Sequence, residues 1–503
     1  MPDNFLKSAL ARGEFVCSAE LVLGRDHTVP EAEAFVREAA GAAGPVKVIS
    51  LTDLPGGNPA LPPEAFVAEV LAGGLTPIAH LSGKDGNRSL IEARLHSLAH
   101  LGVENVLALT GDAQKDGFQG RSKPVHDLDS ALILALIHAL GAGFEYRLGS
   151  RTVRTSPFDF FPGAVVNPFK VREPDLMMQL HKMRLKVALG ARFLVTQVGF
   201  NLRKLVELKQ FMEREGLAGT PVLANVYVPT PVVARMMLNG DLAGCVVSPD
   251  FVRRLEGEKK PQRLERAALM VAAVKDLGFA GAHIGGFGLV YRDFVTILDR
   301  GAAIGSAWRD RMDDLVFPCP GEFYLLPAGA DGLSDAAGAY QAGQHTRSPR
   351  LIERLSRAAH RHLIAPDTAV ARFFSKHLTG GVWPRLLGAS SLYRKATLGC
   401  QSCGDCIQDH LSYAGCSMRW CYKELRNGPC GGSRLDGTCE AHPELPCLWN
   451  LVYETSLALG EDPARFASTL IPPRDWSLDR TNALVNRFAN TDNLSKRTHV
   501  THR

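Results

Sequence analysis

The sequence predicts an α/β chain: a (β/α)8 TIM barrel followed by a smaller, mostly helical, cysteine-rich metal-binding domain. Three observations carry that expectation. Between Phe15 and Trp308, short β-branched runs alternate eight times with amphipathic segments; no G-x-G-x-x-G follows the first run; and eight of the eleven cysteines fall between Cys400 and Cys447. Eight strand–helix repeats over about 300 residues suit a closed barrel better than an open doubly wound sheet, and the missing glycine fingerprint disfavours a nicotinamide-binding fold.

The strands are expected at Phe15 to Leu21, Val46 to Thr52, Leu75 to Leu81, Val103 to Thr110, Gly163 to Asn167, Phe193 to Gly199, Pro221 to Val228 and Ala280 to Gly286. Helical patterns lie between them. In Asn87 to Gly102 the residues Leu90, Ala93, Leu95, Leu98 and Leu101 recur along one flank, and Gly102 supplies the stop. Others are Pro174 to Gly190, Leu202 to Gly216, Pro261 to Gly278 and Tyr291 to Trp308. A Pro/Gly-rich bridge then divides the chain into a barrel over 1–316, a linker over 317–343 and a basic, cysteine-rich region over 344–503. That region begins with helical patterns at Pro349 to Leu363 and Pro366 to Leu378, and its last stretch, Asn482 to Arg503, is expected to fray.

Composition sets outer bounds. A chain of 503 residues with 46% apolar content can bury at least one large core. Its longest apolar stretch, Ala131 to Leu140 interrupted by His138, is too short to span a bilayer. A net charge of +5 does not argue for nucleic acid, but from Gln344 to Gly399 ten Lys/Arg face two Asp/Glu. That run is either a set of solvated helix faces or a docking surface for an acidic partner. The start Met-Pro-Asp-Asn-Phe-Leu-Lys lacks a secretory pattern, so a cytoplasmic setting with reduced thiols is expected.

The cysteines Cys400, Cys403, Cys406, Cys416, Cys421, Cys430, Cys439 and Cys447 supply two complete sets of four thiolates. These could hold two [4Fe-4S] clusters, two zinc ions or one of each. The opening C-x2-C-x2-C leans toward iron and sulfur, because three close thiolates can wrap three corners of a cubane while a distant fourth closes it. A disulfide framework is the competing reading, and the reduced compartment disfavours it.

In a barrel, catalytic groups sit where strands end. Here those positions are polar: Glu20, Thr52 and Asp53, His80, Thr110-Gly111-Asp112, Asn167, Thr196-Gln197, Asn225 and Tyr227, and His283. Glu20 and Asp112 would face one mouth, and such carboxylate pairs commonly split into one protonated and one ionised group.

Thr110-Gly111-Asp112 after Val-Leu-Ala-Leu, with His80 upstream and Lys-Val-Ala-Leu-Gly-Ala-Arg-Phe-Leu-Val-Thr-Gln at 186–197, resembles methylenetetrahydrofolate reductase over residues 10–310. The resemblance implies a flavin-bearing barrel that reduces 5,10-methylenetetrahydrofolate to 5-methyltetrahydrofolate. On it, Glu20 is the general acid for opening the imidazolidine ring and Asp112 the aspartate near flavin and pterin. Gln197 and Thr52 bind substrate; His80, Thr110, Gly111, Asp112, Asn167 and Lys186 surround the flavin. Thr110 stands where the better-known enzymes have arginine, and Asn167 where they have tyrosine, which leaves FAD against FMN open. Arg-Asn-Gly-Pro-Cys-Gly-Gly at 426–432, Gly437-Thr-Cys-Glu and Cys447-Leu-Trp449 are similar to the cysteine-rich domain of acetogen-type members, and imply a metal-bearing module through which electrons arrive. The expected partners are a folate substrate and an acidic electron-carrier protein, with an oligomer compatible and neither nucleic acid nor a membrane span expected. A pterin-dependent methyltransferase and a non-enzymatic, zinc-stapled scaffold are the alternatives.

Overall fold

The computed structural model describes residues 4–499 apart from 26–27, 42–43, 344–346, 366, 379–381, 383–386, 389 and 497. Eight parallel strands close into one barrel: β1 (Val16–Leu21), β2 (Val48–Leu51), β3 (Thr76–Ser82), β4 (Asn105–Leu109), β5 (Phe161–Val166), β6 (Phe193–Thr196), β7 (Val222–Tyr227) and β8 (Gly281–Gly285). Each pairs with its sequence neighbours, and β8 closes on β1 with Ser18 opposite His283. All eight expected strands are present.

Period-2 alternation sorts the strand side chains. Val16, Val48, Ile78, Leu107, Phe193 and Leu223 pack together at the N-terminal end of the barrel, where the helix α1 (Phe5–Ala11) plugs the opening with Leu6, Ala9 and Leu10. At Gly163 an added Cβ would lie 2.3 Å from the Phe193 ring, so the ring takes the place a side chain on β5 would need. Two residues further along β1, β2, β3 and β8 come Ser18, Ser50, His80 and His283, all buried. The lumen therefore changes from apolar to polar toward its C-terminal mouth.

Outside the barrel lie α2 (Val29–Gly41), α3 (Val67–Ala72), α4 (Arg88–His100), α5 (Ser130–Ala142), α6 (Glu173–Ala188) and α7 (Leu202–Arg214). The turn after β7 is expanded by α8 (Pro231–Leu238) and α9 (Pro249–Glu256) before α10 (Lys260–Asp276), and α11 (Tyr291–Ile304) follows β8. In α4 the buried stripe is Ile91, Leu95 and Leu98, while Leu90 is exposed. Of the expected flank Leu95 and Leu98 are buried, whereas Leu90 and Ala93 face solvent and Ile91 takes the place at its N-terminal end.

The segment 317–343 has no long element, yet it is fastened to α7. Arg203 donates to Leu326 O at 3.0 Å, Leu326 N donates to Glu207 at 2.8 Å, and Leu325 and Leu326 are fully buried. Beyond it, helices occupy Leu351–Ala359 and Ala369–His377; the expected start at Pro366 lies outside the described residues. Residues 498–499, within the tail expected to fray, pair with Thr469–Leu470.

The cysteine-rich region packs directly on α6. An outer barrel helix normally keeps a solvated polar stripe. Here Asp175, Gln179, Lys182 and Lys186, spaced four, three and four residues apart, are all buried. Trp449, Val452 and Tyr453 of helix α12 (Leu448–Ala458), together with Phe466, belong to the same apolar core as α6. Polar contacts fill the interface: Asn450 donates to Asp175 at 2.8 Å, Tyr453 to Glu173 at 2.6 Å, and Lys170 to Ser433 O at 2.6 Å. No helix among the described residues is long and apolar enough to cross a membrane.

Candidate active site and cysteine centres

The mouth has two sides. On the first, Ser18, His283 and Glu20 form a chain: Ser18 Oγ lies 2.9 Å from His283 Nδ1, and His283 Nε2 lies 3.1 Å from Glu20 Oε2. β1 puts Ser18 and Glu20 on the same face, two residues apart, and the β1–β8 register brings His283 beside them. His80 sits across the lumen with its Nε2 2.8 Å from Ser50 Oγ. Burial pushes the Glu20 carboxyl up, but the His283 hydrogen bond and the charges of His283 and His80 outweigh it, so it lies below its ordinary value. Burial holds His80 down to about 4, against the pull of Glu20, so its ring is neutral near pH 7.

Donor atoms of Glu20, His80 and His283 all lie within 4.8 Å of one another, a two-histidine, one-carboxylate set. The direct Glu20–His283 hydrogen bond gives the same three groups a different use: a proton held between carboxylate and imidazole, with Ser18 fixing the ring from behind. Beside them Asn225 Oδ1 is buried without a protein partner, an acceptor left for a ligand.

On the second side stands Asp112. Burial and the nearby Glu440 carboxylate raise it to about 6, opposed by Lys423, Lys84 and the Gly56 N–H. Asp112 is raised and Glu20 lowered, each by its own neighbours rather than by the other, so the carboxyl expected as general acid is the lowered one. Thr110 turns its hydroxyl to Ser130, 3.3 Å away at the start of α5. Gly111 has φ +84°, and a Cβ there would lie 2.1 Å from Ser82 Oγ, so only glycine fits this turn.

The remaining expected site residues are distributed as follows. Thr52 accepts the Leu23 N–H at 3.0 Å and so joins β2 to the loop after β1. Asn167 donates to Gly244 O at 2.8 Å, and Gln197 Oε1 accepts the Val198 N–H at 2.8 Å. Lys186 is turned under the barrel wall, donating to Val165 O at 2.6 Å, and burial together with Lys182 lowers it to about 7. Ser18, Ser50, Lys423 and Glu440 escape the sequence reading. The two serines lie on the same strand faces as Glu20 and Thr52, but a serine inside a strand gives no sequence signal of its partner.

The eight cysteines are free thiols and divide into two sets of four. Cys400, Cys403, Cys406 and Cys416 line one cavity, which also takes in Arg394 and Arg426. Arg426 pairs with Asp405 at 2.9 Å while its buried Nε and Nη2 have no protein partner. Cys421, Cys430, Cys439 and Cys447 lie at the barrel mouth, near enough to influence one another's ionisation. A Cβ on Gly244, after β7, would come within 2.9 Å of Gly431 O and 3.2 Å of Gln197 Nε2. Burial pushes Cys406 and Cys421 up to about 12, so these thiols ionise only against a compensating cation. Two four-thiol sets, with an unsatisfied guanidinium beside one of them, fit anionic metal–thiolate centres.

A closed parallel barrel whose titratable residues gather at its C-terminal mouth has the arrangement of a barrel enzyme. The family model described as methylenetetrahydrofolate reductase matches residues 6–282, more than half of the chain. The chain belongs to the methylenetetrahydrofolate reductase family, and so to the oxidoreductases acting on methylenetetrahydrofolate. A second model, methylene-tetrahydrofolate reductase C terminal, matches residues 384–477. None of the curated proteins matches.

Solved structures that resemble it include an uncharacterized protein from Clostridium thermocellum that binds two copies of 5-methyl-5,6,7,8-tetrahydrofolic acid, at 11% identity and TM-score 0.43, covering 59% of this chain and 98% of that one. Tryptophan synthase from M. tuberculosis gives 13% and 0.33, covering 60% and 96%. Dihydropteroate synthase from Thermus thermophilus gives 14% and 0.31, covering 57% and 93%.

Proposed function

We propose that the protein reduces 5,10-methylenetetrahydrofolate to 5-methyltetrahydrofolate with a flavin as hydride source, and that electrons reach the flavin through the cysteine centres. The observation that carries this reading is the Ser18–His283–Glu20 chain in the mouth of a barrel of this family. Opening the imidazolidine ring puts a proton on a ring nitrogen and leaves an iminium carbon to be reduced. The Glu20–His283 pair holds one proton in a hydrogen bond, and the Glu20 carboxyl, 18% exposed, is the member that reaches the lumen. Ser18 keeps the imidazole oriented as the proton leaves.

A bound flavin supplies the hydride. Neutral His80, the unpaired Asn225 Oδ1 and the Thr110–Asp112 loop are the groups available to hold it. Asn167 and Lys186 already spend their donors on Gly244 O and Val165 O, so their contribution is to the wall behind the site. The choice of FAD or FMN rests with this thinner set of contacts.

For the cysteine centres the reading is [4Fe-4S]. A single zinc ion with Zn–S near 2.3 Å holds its thiolates roughly 3.8 Å apart. Among the described residues the only three ligand atoms within 4.8 Å of one another are those of Glu20, His80 and His283, so the thiols are spread more widely than a zinc shell. An acidic one-electron carrier is the proposed donor. Arg354 and Arg361 are exposed in the basic segment that precedes the first centre in the chain, whereas Arg357 is tied to Glu461.

The test is anaerobic purification with an absorption spectrum, metal analysis and Glu20→Gln. Flavin and iron should be present, and Glu20→Gln should lower folate turnover by ~10²- to 10⁴-fold with flavin reduction intact. Normal turnover in that variant, or protein without flavin, rules the reading out.

A further inference from the structure

The loop Thr110–Gln114 carries Asp112, and the cysteine domain grips it at two points. Lys423 Nζ donates to Gly111 O at 2.6 Å, and Tyr422 OH donates to Gln114 Oε1 at 3.1 Å. On the other side of the loop, Gln114 Nε2 donates to Lys84 O at 3.0 Å and Lys115 N to Gly57 O at 2.9 Å. A Cβ on Gly57 would lie 2.0 Å from Ala113 O, so the loop after β2 is pressed against this one. The loop is thus held between the barrel and two consecutive residues that follow Cys421.

Lys423 has a second contact. Its ammonium is paired with Glu440, both side chains being about 5% exposed or less. Glu440 follows Cys439, and Cys430 Sγ lies 3.6 Å from its Oε1. Lys423 therefore stands among Glu440, the Gly111 carbonyl and the Asp112 carboxylate, and without it two carboxylates would share a buried site with one cation fewer.

We propose that Lys423 is a positioning residue that the cysteine domain supplies to the folate site: it fixes the Gly111 carbonyl and sets a positive charge near Asp112, so that folate binding depends on this domain apart from any electron transfer. The proposal rests on the function proposed above, with Asp112 lying near both flavin and pterin. It assigns the second cysteine centre, which orders Tyr422 and Lys423, a part in building the barrel site.

Equilibrium binding of 5-methyltetrahydrofolate to the full-length, metal-replete protein tests this without turnover. Lys423→Met should weaken binding about tenfold, the loss of one charge-assisted contact, and Lys423→Arg should recover most of it. In an Asp112→Asn background the Lys423→Met change should weaken binding only about threefold, because the charge attraction is gone and only the hydrogen bond to Gly111 O is left to lose. A general packing defect would weaken both backgrounds equally. Unaltered binding in Lys423→Met, or an undiminished loss in the Asp112→Asn background, overturns the proposal.

If Lys423→Met loses its metal, Glu440→Gln with metal content verified carries the test. With its competitor neutral, Lys423 turns wholly to Asp112 and affinity should rise about threefold, an effect absent in Asp112→Asn. No change overturns the proposal. A parent protein that binds no folate at all would instead remove the functional reading on which it stands.

Discussion

The barrel and the cysteine-rich region keep their backbones in order by different means. In the barrel, eight strands exchange parallel hydrogen bonds around a closed ring, and none of their non-glycine residues has positive φ. Between Cys400 and Cys447 the one helix among the described residues is Ser417–Trp420, and Ser402, Ser412, Tyr413 and Glu424 all adopt left-handed backbone. Such residues cost free energy that local hydrogen bonding does not repay. A ladder holds the first region; contacts to α6 hold the second, and metal cross-links between its thiolates are the proposed addition. The proposed chemistry follows the same division: proton transfer is built into strands, and metal chemistry into loops.

Removing a thiolate should separate the two most sharply. Cys430→Ser is expected to lose one metal centre and leave 400–477 open to limited proteolysis while the barrel resists, since structural metal binding supplies about 10 to 16 kcal/mol of folding free energy in small metal domains. Full metal stoichiometry with unchanged cleavage would show that Cys430 is not a ligand.

Lys182→Met attacks the seam between the regions. Lys182 pairs with Asp129 at 2.8 Å, both almost fully buried, and reaches Gly428 O at 3.3 Å. Leaving Asp129 without its cation should cost about 3 to 5 kcal/mol in urea unfolding. A single cooperative transition in both proteins would mean that barrel and cysteine region unfold as one unit; a new early transition would mean they do not.

Acid should weaken the seam before the lumen. Burial holds His126 down to about 2, His181 to about 4 and His80 to about 4, all below the ordinary histidine value. Unfolded histidines take up protons near pH 6.5 while these do not, so their stabilising contribution is present above that pH and is lost as pH falls toward 4. His126 and His181 face Tyr422 and Phe466 of the cysteine region. Melting temperature should therefore fall from pH 6.5 to 4.5, and His126→Gln should flatten that slope by about one third. An unaltered slope would mean that His126 stays neutral in the unfolded chain too.

The smallest expected effect lies in the basic segment that precedes the first cysteine centre in the chain. Reversing Arg354 and Arg361 to glutamate should slow reduction by an acidic carrier a few-fold at low salt, with the difference fading as the Debye length shrinks from about 30 Å at 0.01 M to about 3 Å at 1 M. Reduction by a small neutral dye should not change. Equal carrier rates in the variant at low salt would leave those arginines as solvated surface.

The barrel was readable because strand and helix periods are local properties. Glu20, His80 and His283 stand out as polar residues ending apolar runs, whereas Ser18 and Ser50 do not, since a serine in a strand carries no mark of its partner. The cysteines announced a metal site by spacing alone. Their grouping into Cys400–Cys416 and Cys421–Cys447 is also the order in which they occur, so the structure adds the location of each set rather than its membership. Nothing nearby in the sequence shows that the polar residues Asp175, Gln179 and Lys182 on α6 are covered, because what covers them lies more than 240 residues further along the chain.

By itself the sequence determined the eight-fold strand–helix repeat, the polar residues at the strand ends and the eight thiols, because each depends on residue type and short spacing. Only the tertiary structure decided that residues far apart along the chain meet: Ser18 with His283, Lys182 with Gly428, and Lys423 with Gly111. The barrel's closure fixes the first pair through strand register. The second follows from the burial of α6, where Lys182 has to find partners once water is excluded. The third follows from the seating of the cysteine region on the barrel mouth, where the Gly111 carbonyl takes the Lys423 ammonium as its donor.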